Sequence, residues 1–347
     1  MRLRRMRRPA MQHLAIDLGG KESQICVRDS EEKILEERRF PTKRLGEYLA
    51  KQPPSRVILE TSAEAFAVAD LARHAGHDVR VVPATLAPSL GVGARGIKTD
   101  RRDAQVLSEV SCRVDLRSVH IPSEQARAWR TLCTSRDALV SSRTKLTNTV
   151  KSQLRCRLVL TCKRRSAATP EQIRRLWTEL EGSVPPHVER QLGVIELLDA
   201  QVLDADKEIR KLVKGNETCL RLMTTPGVGP LTAMRFVATL DDVKRFATAH
   251  DVQAYLGLTP GEDSSSTRTR RTHLTKAGPP QMRWLLVQAA WTAQRCAGTH
   301  PMVSWATQVA ERRGKRVAAV ALARKLAGIL FALWRDGTTY AAKRGAD

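Results

Sequence analysis

Five short segments with strand signals in the first 82 residues, most of them apolar, alternate with turns and helical segments, and this pattern restricts the possible folds of the chain most. Short apolar runs bounded by Gly, Pro or Asp are typical of β-strands, and strands that alternate with helices build a layered α/β domain. The pattern predicts strands over residues 13–18, 23–28, 33–39, 56–59 and 78–82, and helices over 44–51, 63–75 and 99–113. No internal repeat is visible.

The charge indicates the kind of partner. The chain has 347 residues, with 59 Lys and Arg against 36 Asp and Glu, a formal net charge of +23. A chain this basic usually binds a polyanion, most often nucleic acid, while a membrane surface or a ribosome is the alternative. Five of the first eight residues are Arg. We interpret residues 1–12 either as a basic arm that contacts phosphates or as translated sequence upstream of a start at Met6 or Met11.

Cysteine usage and hydropathy bear on location. Seven scattered cysteines contain no Cys-x-x-Cys pair, which favours reduced thiols over a zinc or redox site. The N-terminus lacks the apolar core of a secretory signal, and no apolar run approaches the ~20 residues of a membrane span. We therefore expect a cytoplasmic protein with no membrane partner.

Four carboxylates are candidates for chemistry. Asp17 and Glu60 end two predicted strands, and Asp100 and Asp103 lie three residues apart near the start of a helix, on one face. A cluster of this kind holds Mg²⁺ or Mn²⁺ for phosphoryl transfer. The alternative is that Asp17 is a turn residue and that Asp100 complements the helix dipole.

Residues 123–155 and 187–214 read as two long helices. The second has apolar residues at heptad spacing, and the first has leucines every seven residues. We interpret the pair as a long antiparallel hairpin that serves as an oligomerisation arm, with an ordinary spacer as the alternative. The seam residues are Leu132, Leu139, Leu146, Val150 and Leu154 in the first helix, and Ile195, Leu198, Val202, Ala205, Ile209 and Leu212 in the second.

The last third is mainly helical, with helices expected up to Leu240, at 249–256, 280–295, 301–312 and 316–335. A polar, basic loop is expected over 259–278, with serines at 264–266 followed by cations. Loops of this composition usually bind phosphates, and a nucleophilic serine is the less common alternative. The turn at 226–230 resembles a helix-hairpin-helix, in which Gly227 and Gly229 would present N–H groups to a phosphate. The candidate nucleic-acid contacts are Arg101, Arg102, Gly227, Gly229, Arg268, Arg270, Arg271 and Lys276.

Three motifs together resemble the DEDD transposases of the bacterial insertion-sequence-110 family, which includes the Piv-type DNA invertases. They are Ala15-Ile16-Asp17-Leu18-Gly19, Leu59-Glu60-Thr61-Ser62 and Lys98-Thr99-Asp100-Arg101-Arg102-Asp103-Ala104. The resemblance implies a RuvC-like, RNase H-like N-terminal domain in which Asp17, Glu60, Asp100 and Asp103 bind Mg²⁺ or Mn²⁺ and are catalytic.

The resemblance continues in the C-terminal third. The family pattern of Pro-Gly-x-Gly-Pro, Gly-Leu-x-Pro, Ser-Gly and Lys-x-Gly matches residues 226–230, 257–260, Ser265 and 276–278. It implies that Ser265 is the nucleophile of a covalent DNA–phosphoserine intermediate. Ser266 stands where the family has glycine, so Ser264 and Ser266 remain alternatives.

The resemblance implies a nucleoid-associated transposase that acts on donor and target DNA, with an element-encoded guide RNA and a dimeric or tetrameric assembly. The expected division is a basic arm (1–12), a RuvC-like domain (13–118), a helical coiled-coil arm (119–217) and a mainly α transposase domain (218–340). A metal-dependent junction-resolving nuclease, an invertase without guide RNA and a non-catalytic nucleic-acid-binding protein are the alternatives.

Overall fold

The computed structural model describes residues 11–86, 99–159, 169–265, 268–296 and 300–341, and of residues 263–272 it describes the backbone alone. Most of the basic arm (1–10), Lys98, Cys162 and the alternative nucleophile Ser266 therefore lie outside the described residues. The chain divides into two compact units, residues 1–122 and 123–347.

A five-stranded mixed sheet organises the first unit, in the order β3-β2-β1-β4-β5. Strand β2 is antiparallel to β1 and β3, whereas β1, β4 and β5 are parallel. All five predicted strands are present, with ends moved by up to two residues. Their bounds are β1 Gln12–Asp17, β2 Glu22–Arg28, β3 Ile34–Pro41, β4 Ser55–Glu60 and β5 Asp78–Val82.

Helices cover both faces of this sheet, because its central strands are apolar on both sides. Helices α1 (Leu45–Leu49) and α2 (Ala65–His74) bury the face that carries Leu14 and Ile16. Helix α3 (Asp100–Arg113) packs on the opposite face, where Leu107 contacts the cluster of Ala15 and Ile58. The first unit is thus the layered α/β domain that the sequence predicts.

Two long helices, α4 (Glu124–Arg155) and α6 (Pro186–Lys214), open the second unit and pack against each other. Arg136 Nε lies 2.6 Å from Asp206 Oδ1, and Arg143 Nη1 lies 2.8 Å from Asp199 Oδ1. Partners rise along α4 as they fall along α6, so the helices are antiparallel. The predicted hairpin is present and packs on itself.

The far end of this hairpin holds a helix that the sequence analysis missed, α5 (Pro170–Glu181), which buries Trp177 between α4 and α6. Three of the predicted seam positions of α6, Ile195, Val202 and Ile209, are buried at seven-residue spacing. Leu212 is wrong as a seam residue: it is 38% exposed, and Val213 is buried instead. From Ile209 the next position on the same face of an α-helix is i+4, which is Val213.

In the described residues of the second unit, six further α-helices and a β-hairpin pack around one apolar core. The prediction of a loop over residues 259–278 is wrong. Strands β6 (Pro260–Ser265) and β7 (Arg268–Leu274) pair there as an antiparallel hairpin. Thr269 and Thr272 have the β-branched side chains that favour strands, but the arginines around them concealed this signal. The helices are α7 Glu217–Met223, α8 Pro230–Leu240, α9 Ala249–Tyr255, α10 Pro280–Cys296, α11 Pro301–Arg313 and α12 Lys315–Asp336.

Helix α12 bears on the hydropathy expectation. Within the described ranges it is the one helix long and apolar enough, by length and composition, to cross a membrane. Arg324 and Lys325 divide its apolar residues into two short runs, so no continuous run of the required length is visible in the sequence. Leu322, Leu326 and Phe331 are fully buried in the core of the second unit, so this apolar helix is accounted for as a core helix.

Candidate active site

Asp17 and Glu60 are the last residues of two neighbouring parallel strands. The register pairs Ile16 of β1 with Leu59 of β4, so the two carboxylate positions follow at the same level of the sheet. Neighbouring strands lie about 4.8 Å apart, which makes these residues direct neighbours at the carboxyl edge. Both are half-buried.

Helix α3 brings a third carboxylate to that edge. Ser111 Oγ lies 2.8 Å from His13 Nδ1, and one helical turn earlier Leu107 packs against Ala15. Four residues of an α-helix rise about 6 Å, and two residues of a strand rise about 6.6 Å. Each turn of α3 therefore lies beside two residues of β1. The next step places Asp103, which is 3% exposed, level with Asp17.

Asp100, the fourth predicted ligand, is arranged differently. It opens α3, its side chain is 68% exposed, and its Oδ2 lies 3.9 Å from Arg39 Nη2 on β3. In the described parts of the chain, no three His, Cys, Asp or Glu side chains form a group that could hold a metal ion. The donors themselves are carboxylate oxygens, the hard ligands that Mg²⁺ and Mn²⁺ prefer, so the residue types at this edge fit a divalent cation.

A polar cleft beside the carboxylates contains residues that the sequence analysis did not select. Gln24 is the register partner of Asp17 on β2, is 6% exposed, and lines this cleft with Glu37 and Asp100. Glu37 accepts hydrogen bonds from Arg101 and from Gln105 Nε2, and the Arg101 bond holds the pKa of Glu37 below its usual value. Arg101, predicted to contact nucleic acid, is therefore paired within the protein.

Arg102 is half-buried, and its backbone N–H donates to Thr99 Oγ1 at 3.3 Å, which caps the start of α3. The sequence signal for Glu37 and Gln24 was only their position on predicted strands. Nothing in the spacing distinguishes them from other polar strand residues.

The serine-bearing segment is the end of the β6–β7 hairpin. Ser264 pairs with Thr269 and Ser265 pairs with Arg268, so Ser265 is the last paired residue before the turn. Arg270 and Arg271 follow on β7, opposite Asp263 and Glu262. The backbone thus places two of the three candidate serines at the tip of a two-stranded ribbon, among positions occupied by arginine.

The segments just before and just after this hairpin, around Gly257 and around Gly278, are its two flanks. Their backbones contact each other at the base of the hairpin, which is called its foot. Gly257 has φ +66°, and a Cβ there would lie 2.4 Å from Ala277 O; Gly278 has φ +120°, and its Cβ would lie 2.2 Å from Tyr255 O. Only glycine permits this approach. Arg283 Nη1 donates to Leu256 O at 3.2 Å and to Gly278 O at 2.9 Å, which joins the flanks.

The Gly-Leu-x-Pro and Lys-x-Gly matches therefore form the support of the hairpin. Lys276, a predicted phosphate contact, is exposed between the flanks at φ +53°. Arg283 is a residue that sequence reasoning missed, since an arginine in the first turn of an amphipathic helix carries no distinguishing signal.

The two glycines of the turn at 226–230 differ. Gly227 has φ +83°, and a Cβ there would lie 2.2 Å from Ala289 O of α10, so close packing accounts for the glycine. Gly229 precedes α8 and has nothing within 4 Å of its Cβ position. Of the two, Gly229 has the open surroundings that a phosphate contact requires.

Two known protein families match this chain, one in the region of the carboxylates and one in the region of the serine hairpin. Residues 14–156 match the family model of DEDD transposases of IS110 elements, and residues 219–303 match the model described as the transposase IS116/IS110/IS902 family. The first match covers the carboxylates and all of α4. The second covers the turn at 226–230, the hairpin and α10.

Three relatives extend the similarity along the chain. The transposase of insertion sequence element IS1111A from Coxiella burnetii is 32% identical over 70% of this chain and 68% of its own length. A protein named probable family 20 transposase from Pseudomonas aeruginosa is 28% identical over 95% of this chain and 98% of its own. The transposase of element IS1328 from Yersinia enterocolitica is 29% identical over 96% and 99%. With its carboxylate edge and its serine hairpin inside the matched regions, the chain belongs to the IS110 family of insertion-sequence transposases.

Proposed function

We propose that this transposase cuts and rejoins DNA with a divalent-cation site at Asp17, Glu60, Asp100 and Asp103 and with Ser265 as the nucleophile. The observation that carries the first half is the step-by-step register of α3 on β1, which aligns Asp103 with Asp17 and Glu60. The family itself implies DNA cutting and rejoining.

The N-terminal domain has an RNase H-like fold in this proposal. The strand order 3-2-1-4-5, with only β2 antiparallel to its neighbours, supports it. Ligand sites of open α/β sheets lie at the carboxyl ends of the strands, where Asp17 and Glu60 lie.

A bound Mg²⁺ or Mn²⁺ would offset negative charge on the phosphoryl oxygens. The chain's own part is to hold the carboxylates in register. Arg39 Nη2, 3.9 Å from Asp100 Oδ2, offsets part of the negative charge on this side of the edge. The half-buried positions of Asp17 and Glu60 limit water at the edge.

The covalent step is a transesterification. The Ser265 hydroxyl loses its proton as its oxygen bonds to phosphorus, one bridging P–O bond breaks, and the departing sugar oxygen takes a proton. Rejoining reverses these steps with a sugar hydroxyl of another strand. One phosphodiester is exchanged for another, so no energy source is required.

The metal half is tested by binding. Mn²⁺ titrated calorimetrically should bind the wild-type protein, and Asp17→Asn and Asp103→Asn should each weaken binding at least tenfold. Glu31→Gln, in an exposed turn of the same unit, is the matched control and should change nothing. Equal Mn²⁺ affinity in all four proteins contradicts this site.

The serine half is tested by trapping the intermediate. DNA carrying the element ends should give a denaturation-resistant protein–DNA adduct that Ser265→Ala abolishes and that Ser264→Ala and Ser266→Ala retain. Mass spectrometry of the adduct identifies the modified serine. Cleavage without any adduct would favour the metal-dependent junction-resolving nuclease.

We further propose an assembly of two or four copies in the cytoplasm at the nucleoid, bound to donor and target DNA and to an element-encoded guide RNA. Exposed apolar residues of α6 support the assembly: Val194, Leu197 and Leu203 are 46%, 61% and 52% exposed. The charge of +23 suits an RNA cargo. Sequencing the nucleic acid that copurifies tests it, and a preparation with only random fragments contradicts it.

The metal site of one copy and the serine of another form one composite site in this assembly. Mixing Asp17→Ala with Ser265→Ala protein should then restore activity. No recovery in oligomers shown to be mixed counts against it.

A further inference from the structure

A polar cavity of about 220 Å³ lies inside the second unit, apart from the residues assigned above. Its walls include two guanidinium groups, three hydroxyl groups and a side-chain amide, from Arg130, Arg235, Thr134, Thr239, Tyr255 and Gln281. None of its lining residues is acidic. Cations and neutral donors around a small space are the chemistry that recognises an oxyanion.

Arg130 is fixed by the end of a helix. Its Nε donates to Ala238 O at 2.7 Å and its Nη2 to Thr239 O at 3.0 Å, in the last turn of α8. Burial lowers the pKa of Arg130, since the surrounding protein solvates the cation less well than water. An anion in the cavity would supply the missing stabilisation.

Arg235 is the more deeply buried of the two, at 6% exposure. Its Nη2 lies 2.7 Å from Asp137 Oδ2, but Asp137 is shared with Arg136 Nη1 at 3.9 Å. The Nε atom of Arg235 is buried with no hydrogen-bond partner among the described residues. Buried guanidinium donors are normally satisfied, so a small shift of the Arg235 side chain toward an oxyanion in the cavity would gain a hydrogen bond that the protein itself does not provide.

The cavity adjoins the foot of the serine hairpin. Tyr255 ends α9 immediately before the first flank, and Gln281 lies in the first turn of α10 after the second flank. Gly278, whose Cβ position touches Tyr255 O, joins the two walls. From the foot at Pro260 to Ser265 the strand extends about 17 Å, so a group in the cavity is separate from one at the serine.

We propose that this cavity binds a backbone phosphate of the DNA strand that the serine hairpin engages, two or three nucleotides away from the phosphate that reacts. A single phosphate with its two non-bridging oxygens fits between two guanidinium groups. The inference rests on the proposed function for the identity of the strand. Binding of an oxyanion to the cavity does not depend on it.

The test places a carboxylate at the cavity. Thr134 is exposed on α4, so Thr134→Glu is compatible with the helix and brings its charge to Arg130 one turn away. Ser135→Glu, at the next exposed position of α4, makes the same charge change on a different face and is the matched control. Thermal unfolding of both variants checks that they fold.

Inorganic phosphate is the first probe, followed by labelled DNA and RNA oligonucleotides of equal length. Thr134→Glu should weaken phosphate binding at least tenfold and lower the slope of log affinity against log salt for DNA by about one. Ser135→Glu should leave phosphate affinity within about twofold. The proposal is overturned if the two substitutions weaken phosphate binding equally. It is also overturned if Thr134→Glu weakens binding to RNA but not to DNA.

The outcome is independent of the serine assay. If phosphate binding is lost in Thr134→Glu while no covalent adduct ever forms in the wild type, the cavity stands and the proposed nucleophile fails. If the adduct forms normally in Thr134→Glu at all DNA concentrations, the cavity does not hold that strand.

Discussion

Gly227→Ala tests whether close packing, rather than phosphate binding, accounts for this glycine. A Cβ at Gly227 would lie 2.2 Å from Ala289 O and 2.8 Å from Ala293 N, both backbone atoms of α10. No side chain can rotate away from such a contact, so α10 must shift by about 1 Å. The left-handed φ of +83° adds its own cost for any residue with a Cβ.

Gly182→Ala separates the two contributions. Gly182 follows α5 at φ +76°, and its Cβ position has nothing within 4 Å, so this variant carries only the conformational cost. That cost is about 1 kcal/mol, whereas overpacking adds about 1–3 kcal/mol at Gly227. A unit of this size loses about 3 °C per kcal/mol, which gives falls in Tm of about 3 °C for Gly182→Ala and about 9 °C for Gly227→Ala.

Differential scanning calorimetry of the two variants and the wild type measures the difference, with DNA affinity of the folded proteins as a second readout. Equal Tm values for the two variants would refute the packing explanation. So would a Gly227→Ala protein of unchanged Tm that has lost DNA affinity, since that result belongs to a phosphate contact.

Three further predictions concern single side chains. Arg283→Met should lower adduct formation at least tenfold with a fall in Tm below about 5 °C, because it releases the hairpin flanks without opening the core; an unchanged rate contradicts this role. Burial raises the pKa of Cys219 to about 12, so iodoacetamide at pH 8 should label the exposed Cys156 and leave Cys219 unmodified in a mass-spectrometric assay. The pKa of Glu37 is lowered by Arg101, so its stabilising contribution is present above the unfolded pKa and is lost as the pH falls through the folded one; Glu37→Gln should flatten the acid limb of the stability curve, and an unchanged limb argues against it.

The sequence predicted the elements that have a strong period or clear boundaries. The strand that ends at Asp17 was recognisable because its apolar run stops before two glycines. The helix from Asp100 was recognisable because a capping residue, Thr99, precedes it. The sequence also predicted that Asp17 and Glu60 are neighbours, since parallel strands end at the same sheet edge. The position of Asp103 opposite Asp17 required the packing of α3, which no local pattern encodes.

The features that the sequence did not predict also have physical explanations. The hairpin at 260–274 was predicted as a loop because its strands are polar on both faces, and hydrophobic alternation is the main sign of a strand. Arg130 and Arg235 lie far apart in the chain and meet only when α4 packs against α8. Buried arginines of this kind look like ordinary surface cations in the sequence.

Because the foot of the hairpin is tightly held, a small rotation there becomes a larger displacement of the hairpin tip. Since the strand from Pro260 to Ser265 is about 17 Å long, a rotation of 10° at the foot moves the tip by about 3 Å, roughly the difference between a hydroxyl in contact with phosphorus and one out of reach. The reach of the serine is then set where Gly257, Gly278 and Arg283 meet. If Ser265 acts as proposed, substitutions there change the rate of strand joining while leaving every reacting group intact.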